Sequence, residues 1–416
     1  MSAKQDRLGA PSIVSARSES RGPTRYARVE EYERIRDGVK YLSGGREYSY
    51  GETEELLRSP DPFERVRAWE MRRGGWEGLE GELAELLGRA FAARKARVAA
   101  EVFGEDSAPL LEAAGRLRAP LRRALELKAG RVGAPGFRCC DLWARLPAPA
   151  DAQMPLAEGL RLLGVIFEKS VEGGRGLIME FFPGNRLLLQ GDRPHCLRPD
   201  ASSPAVVCLP ESFRGVYPSD LPVIAHELGY AIHCDLASRA GGGAEGSPVF
   251  AGLLSYFFEE LAWSGLRAEA DAGAAAELAF NRLPRLAADF LIVPALLQFE
   301  EAATAAAAGG PLISAAIQDM EKKIFTEWLG ADAEGAGFWM RSAGLFRPEP
   351  SGGFARLARR FLSLGLAAGG RLGAGGLEEA VSDARTLDLR GWIAKRSPGG
   401  WSALSAGALD TLSGLE

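Results

Sequence analysis

The chain has 416 residues, of which 46% are hydrophobic and 25% charged, and its formal net charge is -5 at neutral pH. That length allows a large buried core, and the composition is ordinary for a globular protein. The mild acidity offers no basic field for nucleic acid or an anionic membrane, and the longest apolar run, residues 290–299, is half a bilayer crossing and contains Pro294.

Residues 1–25 are polar, mixed in charge and without an apolar signal core, so they are expected to form a disordered arm on a cytoplasmic protein. A short charged helix is expected over 28–37. Asp61-Pro62 reads as an N-cap followed by proline at the first helical position. Leu83, Leu86, Leu87, Ala90 and Phe91 fall at helical spacing within 82–101, and Leu110, Leu111, Ala114, Leu117 and Leu121 repeat the pattern within 109–127. After a helix over 155–172 the pattern changes. Residues 177–182, 185–190 and 205–209 read as short strands between Gly and Pro turns, and helices resume at Leu221. Five cysteines at irregular spacing, with no CxxC pair, read as small buried hydrophobes rather than a zinc ribbon or redox dithiol.

Chemical content concentrates in Leu221-Pro-Val-Ile-Ala-His226-Glu227-Leu-Gly-Tyr230-Ala-Ile-His233. A zinc hydrolase places HExxH on a helix, so that two histidines one turn apart hold one ion and the Glu acts as base on the metal-bound water. Here the second histidine position holds Tyr230. The run resembles the HELGHAIH-type signature of the oligoendopeptidase F and thimet oligopeptidase family with one substitution. Asp141-Leu-Trp-Ala is similar to an Asp-Leu-Tyr-Ala stretch of that family, and the short β segment before the helix fits as well. The resemblance spans roughly 59–390. It implies a mainly α, two-lobed helical oligopeptidase-like fold around a deep cleft with a small β-sheet insert. The expected division is an N-terminal helical lobe over 26–135 and a catalytic-like helical domain over 136–416, with the insert at about 177–209.

The first part of that family's N-terminal lobe is much shortened here, and the remaining departures fall on the metal ligands and the oxyanion donors. The family's third ligand is a Glu in an E-x-x-S-x-x-x-E pattern on the next helix. Alignment on Ser255 puts Gly252 there, or Leu253 without that shift, and neither binds metal. Glu259 or Glu260 matches the second Glu of the pattern, which supports the site from outside. The family's late-helix His and Tyr oxyanion donors have no counterpart, because the three histidines are His195, His226 and His233 and the last tyrosine is Tyr256; the matching segment, 290–299, is apolar. His226 and His233 lie roughly 10 Å apart along a helix, too far to share one ion. No metal and no other cofactor is therefore expected.

The leading expectation is a repurposed, metal-independent acid/base enzyme acting on a small peptide-like or natural-product molecule by isomerisation, cyclisation, elimination or hydrolysis. Glu227, His226 and Tyr230 are its candidate catalytic groups, and His233, Tyr256, Glu259, Glu260 and Arg186 its candidate ligand contacts. Without a metal beside it, Glu227 in an apolar cleft should have a raised pKa. One alternative is a non-catalytic protein that binds a peptide or metabolite. Another is an unorthodox zinc peptidase completed by Glu259, Glu260 or Cys234. His195 is expected in a loop after the β insert.

Overall fold

The computed structural model describes residues 27–95, 107–146, 153–182, 186–191, 193–198, 203–239, 249–330, 337–347, 352–373, 375–397 and 399–413. The expected arm, the turn at 183–185 and the glycines at 241–243 lie outside them.

Local chemistry sets the first elements. Helix α1 (Ala27–Gly38) leads into a hairpin, β1 (Tyr41–Ser43) and β2 (Arg46–Tyr48), which the hydrophobic pattern does not announce. Helix α2 (Tyr50–Arg58) opens with a capping box between Ser49 and Glu52. Helix α3 (Pro62–Gly74) opens on Asp61, whose side chain accepts from the Phe63 N–H, with Pro62 following as expected. Helices α4 (Glu80–Lys95) and α5 (Ser107–Arg131) bury the apolar stripes read from the sequence.

Strand β3 (Met154–Pro155) starts helix α6 (Leu156–Ser170), followed by α7 (Gly174–Met179). Strands β4 (Leu187–Leu189), β5 (His195–Leu197) and β6 (Val206–Leu209) form one sheet in the order β4-β6-β5, with β6 parallel to β4 and antiparallel to β5. β7 (Gly215–Val216) pairs back with β3. Two expectations are corrected here. Residues 177–182 are not a strand: Ile178 and Phe181 are buried while Met179 and Phe182 are exposed, a spacing of three that a helix and its closing turn satisfy. His195 is not in a loop after the insert but on β5 within it, opposite Cys208.

The remaining chain is helical: α8 (Leu221–Arg239), α9 (Leu253–Glu269), α10 (Ala272–Ala287), α11 (Val293–Gly309), α12 (Ser314–Leu329), α13 (Gly353–Ala368), α14 (Gly376–Thr386), α15 (Leu389–Arg396) and α16 (Gly400–Ser413). A π-helical turn, Ala288–Ile292, joins α10 to α11. By length and composition the continuous run Ala272–Gly309 could cross a membrane, a longer stretch than the ten residues read from the sequence. Half of its most apolar window is buried in the protein, and it carries the fully buried Asp289, so it packs as a core helix.

Helices α8 and α9 pack most closely. A Cβ on Gly229 would lie 2.4 Å from the Leu254 carbonyl oxygen and 2.9 Å from the Ser255 Cα. The glycine of the HELG run is therefore required by backbone approach between two core helices. That approach brings position 226 of α8 opposite position 259 of α9.

Candidate functional site

Helix α8 is buried over most of its surface, but Val223, His226, Glu227 and Tyr230 retain access to solvent. His226 and Glu227 line a cavity of about 410 Å³. Its other walls come from the end of α2 (Glu54, Arg58), the Trp143-Ala144-Arg145 segment, the start of α8, α9 (Glu259, Trp263), α10 (Asn281, Pro284, Arg285) and α13 (Arg356). The Asp141-Leu-Trp-Ala stretch thus contributes directly. Asp141 is buried, bonded by Arg65 and Arg138, and it anchors the segment whose Trp143 faces the cavity.

His226 Nδ1 lies 2.8 Å from Glu259 Oε2 and 3.4 Å from Arg285 Nη2. A guanidinium has no acceptor, so Arg285 and a protonated Nδ1 cannot bond each other. The shorter contact places the proton on Nδ1, donating to Glu259, while Arg285 donates to the same carboxylate oxygen at 3.2 Å. Nε2 is then the ring nitrogen left for chemistry. Tyr256, nearly buried, meets the imidazole edge-on at 5.0 Å and supports it from behind.

Glu259 belongs to an ionic cluster beneath the cavity. Arg360, fully buried, donates to Glu259 at 2.8 Å, Glu260 at 2.8 Å and Asp289 at 2.7 Å. Arg282 pairs with Glu260, and Arg356 with Asp289 at 2.7 Å. Burial alone would raise the Glu259 carboxyl, but Arg285 and Arg360 hold it well below its ordinary value, so it is ionised. Glu227 differs: burial raises its pKa, opposed by the charges of His226, His195 and Arg285. It makes no ion pair among the described residues. One helical turn therefore carries two neighbouring groups of opposite tendency, an imidazole held by an ionised carboxylate and a carboxyl pushed toward its neutral form.

The other residues singled out in the sequence are not on the cavity wall. Tyr230 projects against the start of α9, where a Cβ on Gly252 would lie 3.0 Å from its ring, and partial burial raises the phenol pKa. His233 is buried, its Nδ1 has no hydrogen-bond partner, and burial lowers its pKa to about 4. Glu260 is enclosed in the ionic cluster. Arg186 pairs with Asp235, bonds the Ala205 carbonyl and stacks over Phe181, fixing the β insert to α8. Sequence reading missed Arg285, Arg356, Arg360 and Asp289. The available signal was Asp289 at the head of an apolar run, since a carboxylate in such a position needs cations around it.

The donor set does not fit a zinc ion. The second ligand position of the peptidase signature holds Tyr230, and the third falls on Gly252 or Leu253; the tyrosine ring occupies the space beside Gly252, and Leu253 is a buried apolar side chain. Among the described residues no group of three or more His, Cys, Asp or Glu side chains converges in a way that could hold a metal. What persists is the outer support, Glu259 on the far nitrogen of His226, in the arrangement that orients a metal-binding imidazole.

The fold is that of the oligoendopeptidase F type of peptidase. The chain is similar to a Chlamydophila abortus protein provisionally assigned as a peptidase, with a TM-score of 0.69 and 14% identity, covering 94% of this chain and 72% of that one. It is similar to PZ peptidase A, solved with an inhibitor, with a TM-score of 0.68 and 12% identity, covering 94% and 75%. The oligoendopeptidase-F of Enterococcus faecium superposes with a TM-score of 0.60 at 15% identity, covering 94% and 70%. No protein-family model and no curated protein matches the chain in sequence.

Proposed function

We propose that this peptidase-fold chain has given up zinc chemistry and transfers protons on a small peptide-like molecule held in the cavity. The observation that carries this reading is the Nδ1–Glu259 hydrogen bond of 2.8 Å, which leaves His226 Nε2 as a base beside Glu227. A carboxylate on the far nitrogen fixes the tautomer and stabilises the imidazolium that forms on protonation. Glu227, beside it on the same helical turn and with its carboxyl raised by burial, is the matching acid. His226 removes a proton from the bound molecule, or from an attacking water in hydrolysis, and Glu227 protonates the accepting or leaving atom, a pairing that suits isomerisation, cyclisation, elimination or hydrolysis. Tyr230 is then a packing group in place of a lost ligand. Five cysteines that form no disulfide among the described residues suit a reducing, cytoplasmic setting.

A binding role without turnover is the second reading. It is favoured by the charges around the cavity, most of which pair with one another: Arg58 with Glu54, Arg145 with Asp220, Arg356 with Asp289. Incubation of the protein with a pool of di- and tripeptides and amino-acid derivatives, followed by mass spectrometry and NMR, separates the two. Turnover insensitive to a chelator and reduced at least a hundredfold in both Glu227→Gln and His226→Asn supports proton transfer. A ligand bound and released unchanged supports binding alone.

A further inference from the structure

The ionic cluster does not balance. Four guanidiniums, Arg282, Arg285, Arg356 and Arg360, share three carboxylates, Glu259, Glu260 and Asp289. A fifth, Arg359, lies behind Tyr256 and bonds the Ala251 carbonyl rather than an acid. Buried charge without a counter-charge is costly, so the location of the excess matters. Arg360 is sealed and Arg282 nearly so, whereas the Arg285 and Arg356 side chains keep 39% and 36% of their exposure and both line the cavity. Arg285 Nε is buried without a hydrogen-bond partner, 3.9 Å from the nearest Asp289 oxygen. The other two cavity arginines have their own acids at the rim, Glu54 and Glu55 for Arg58, and Asp220 for Arg145. The cluster's surplus positive charge is thus presented to the cavity at one place, beside His226, where the further acid that feels Arg285 is Glu227, whose carboxyl burial raises.

We propose that Arg285 and Arg356 form an anion subsite that takes the carboxylate of a small peptide-like ligand and sets the adjoining bonds against His226 and Glu227. Guanidinium forks match a planar carboxylate in both charge and geometry. The proposal rests on the reading of the cavity as a ligand site and adds the ligand's charge.

The test uses the full chain carrying Glu227→Gln, so that binding is read without turnover. The probes are N-acetyl-dialanine and its C-terminal amide, which differ in one charge, measured by ligand-observed NMR and calorimetry. The acid is expected to bind at least tenfold more tightly than the amide. Arg356→Gln should abolish that preference while Arg360 continues to hold Asp289, and Arg356→Lys should restore part of it. Equal binding of acid and amide, no binding of the acid, or a preference that survives Arg356→Gln in a protein of unchanged thermal midpoint overturns the subsite. The outcomes separate from those of the proposed function. Carboxylate-selective binding with no turnover in the wild type refutes proton transfer alone, and turnover without selectivity refutes the subsite alone.

Discussion

Replacing Glu259 with Gln keeps the side chain's size and removes its charge, which makes it the sharpest probe of the cluster that holds His226. In the wild type that carboxylate touches Arg360 at 2.8 Å, Arg285 at 3.2 Å and His226 Nδ1 at 2.8 Å. Each ion pair is worth about 4 kcal/mol at an effective dielectric of ~20, before the cost of dehydrating the acid is subtracted. Removing one member of a buried pair costs about 3–5 kcal/mol, because the partner is left uncompensated. Here Arg360 keeps Glu260 and Asp289, and Arg285 keeps Asp289 at 3.9 Å, so the lower figure applies. Glu259→Gln should therefore lose about 3 kcal/mol in urea unfolding, with the midpoint falling and the slope unchanged. The nitrogen resonances of His226 should also move away from a pure Nδ1–H tautomer, since the amide attracts that proton less. A loss below about 1 kcal/mol, or an unaltered tautomer, would show that the cluster is not what orients the imidazole.

Two further variants test the scaffold. Gly229→Ala should cost about 3 kcal/mol, because its Cβ meets the Leu254 carbonyl at 2.4 Å and backbone cannot rotate away; urea unfolding reads this, and a neutral result would mean α8 and α9 are farther apart. Glu321 gives a pH dependence. Burial raises its carboxyl to about 7 against an ordinary 4.5, although the Phe338 N–H donates to it at 2.7 Å. The folded state then binds more protons than the unfolded state between those values. Stability is full below pH 4.5 and falls as pH rises through about 7, by roughly 3 kcal/mol. Glu321→Gln keeps an acceptor for Phe338 and should flatten this slope, making the variant the more stable protein at pH 8; equal slopes in both would refute the assignment.

Much of the frame was legible in the sequence because local rules decide it. Asp61-Pro62 started a helix where capping chemistry says it should, and the leucine stripes at 83–91 and 110–121 went to the core. The HELG run was legible as a helix with a chemical face, and its glycine as part of a motif, but the reason for that glycine lies in α9 and is visible only in three dimensions. Residues 177–182 misled because a run of mostly apolar residues fits a strand and a short helix equally until burial is known. The site was half legible. His226, Glu227 and Glu259 share one signature, whereas the arginines of α10 and α13 join them from 59 and 130 residues beyond His226, a convergence set by packing rather than by any local pattern.

The central claim is that the chain keeps the peptidase scaffold without its metal chemistry, and metal content tests it most directly. Protein purified without chelators, then offered excess zinc and desalted, should hold less than about a tenth of an equivalent by elemental mass spectrometry, since one imidazole is far short of the three protein ligands a catalytic zinc needs. A full equivalent of tightly held zinc, lost in His226→Asn, would contradict the account and return the cavity to metallopeptidase chemistry.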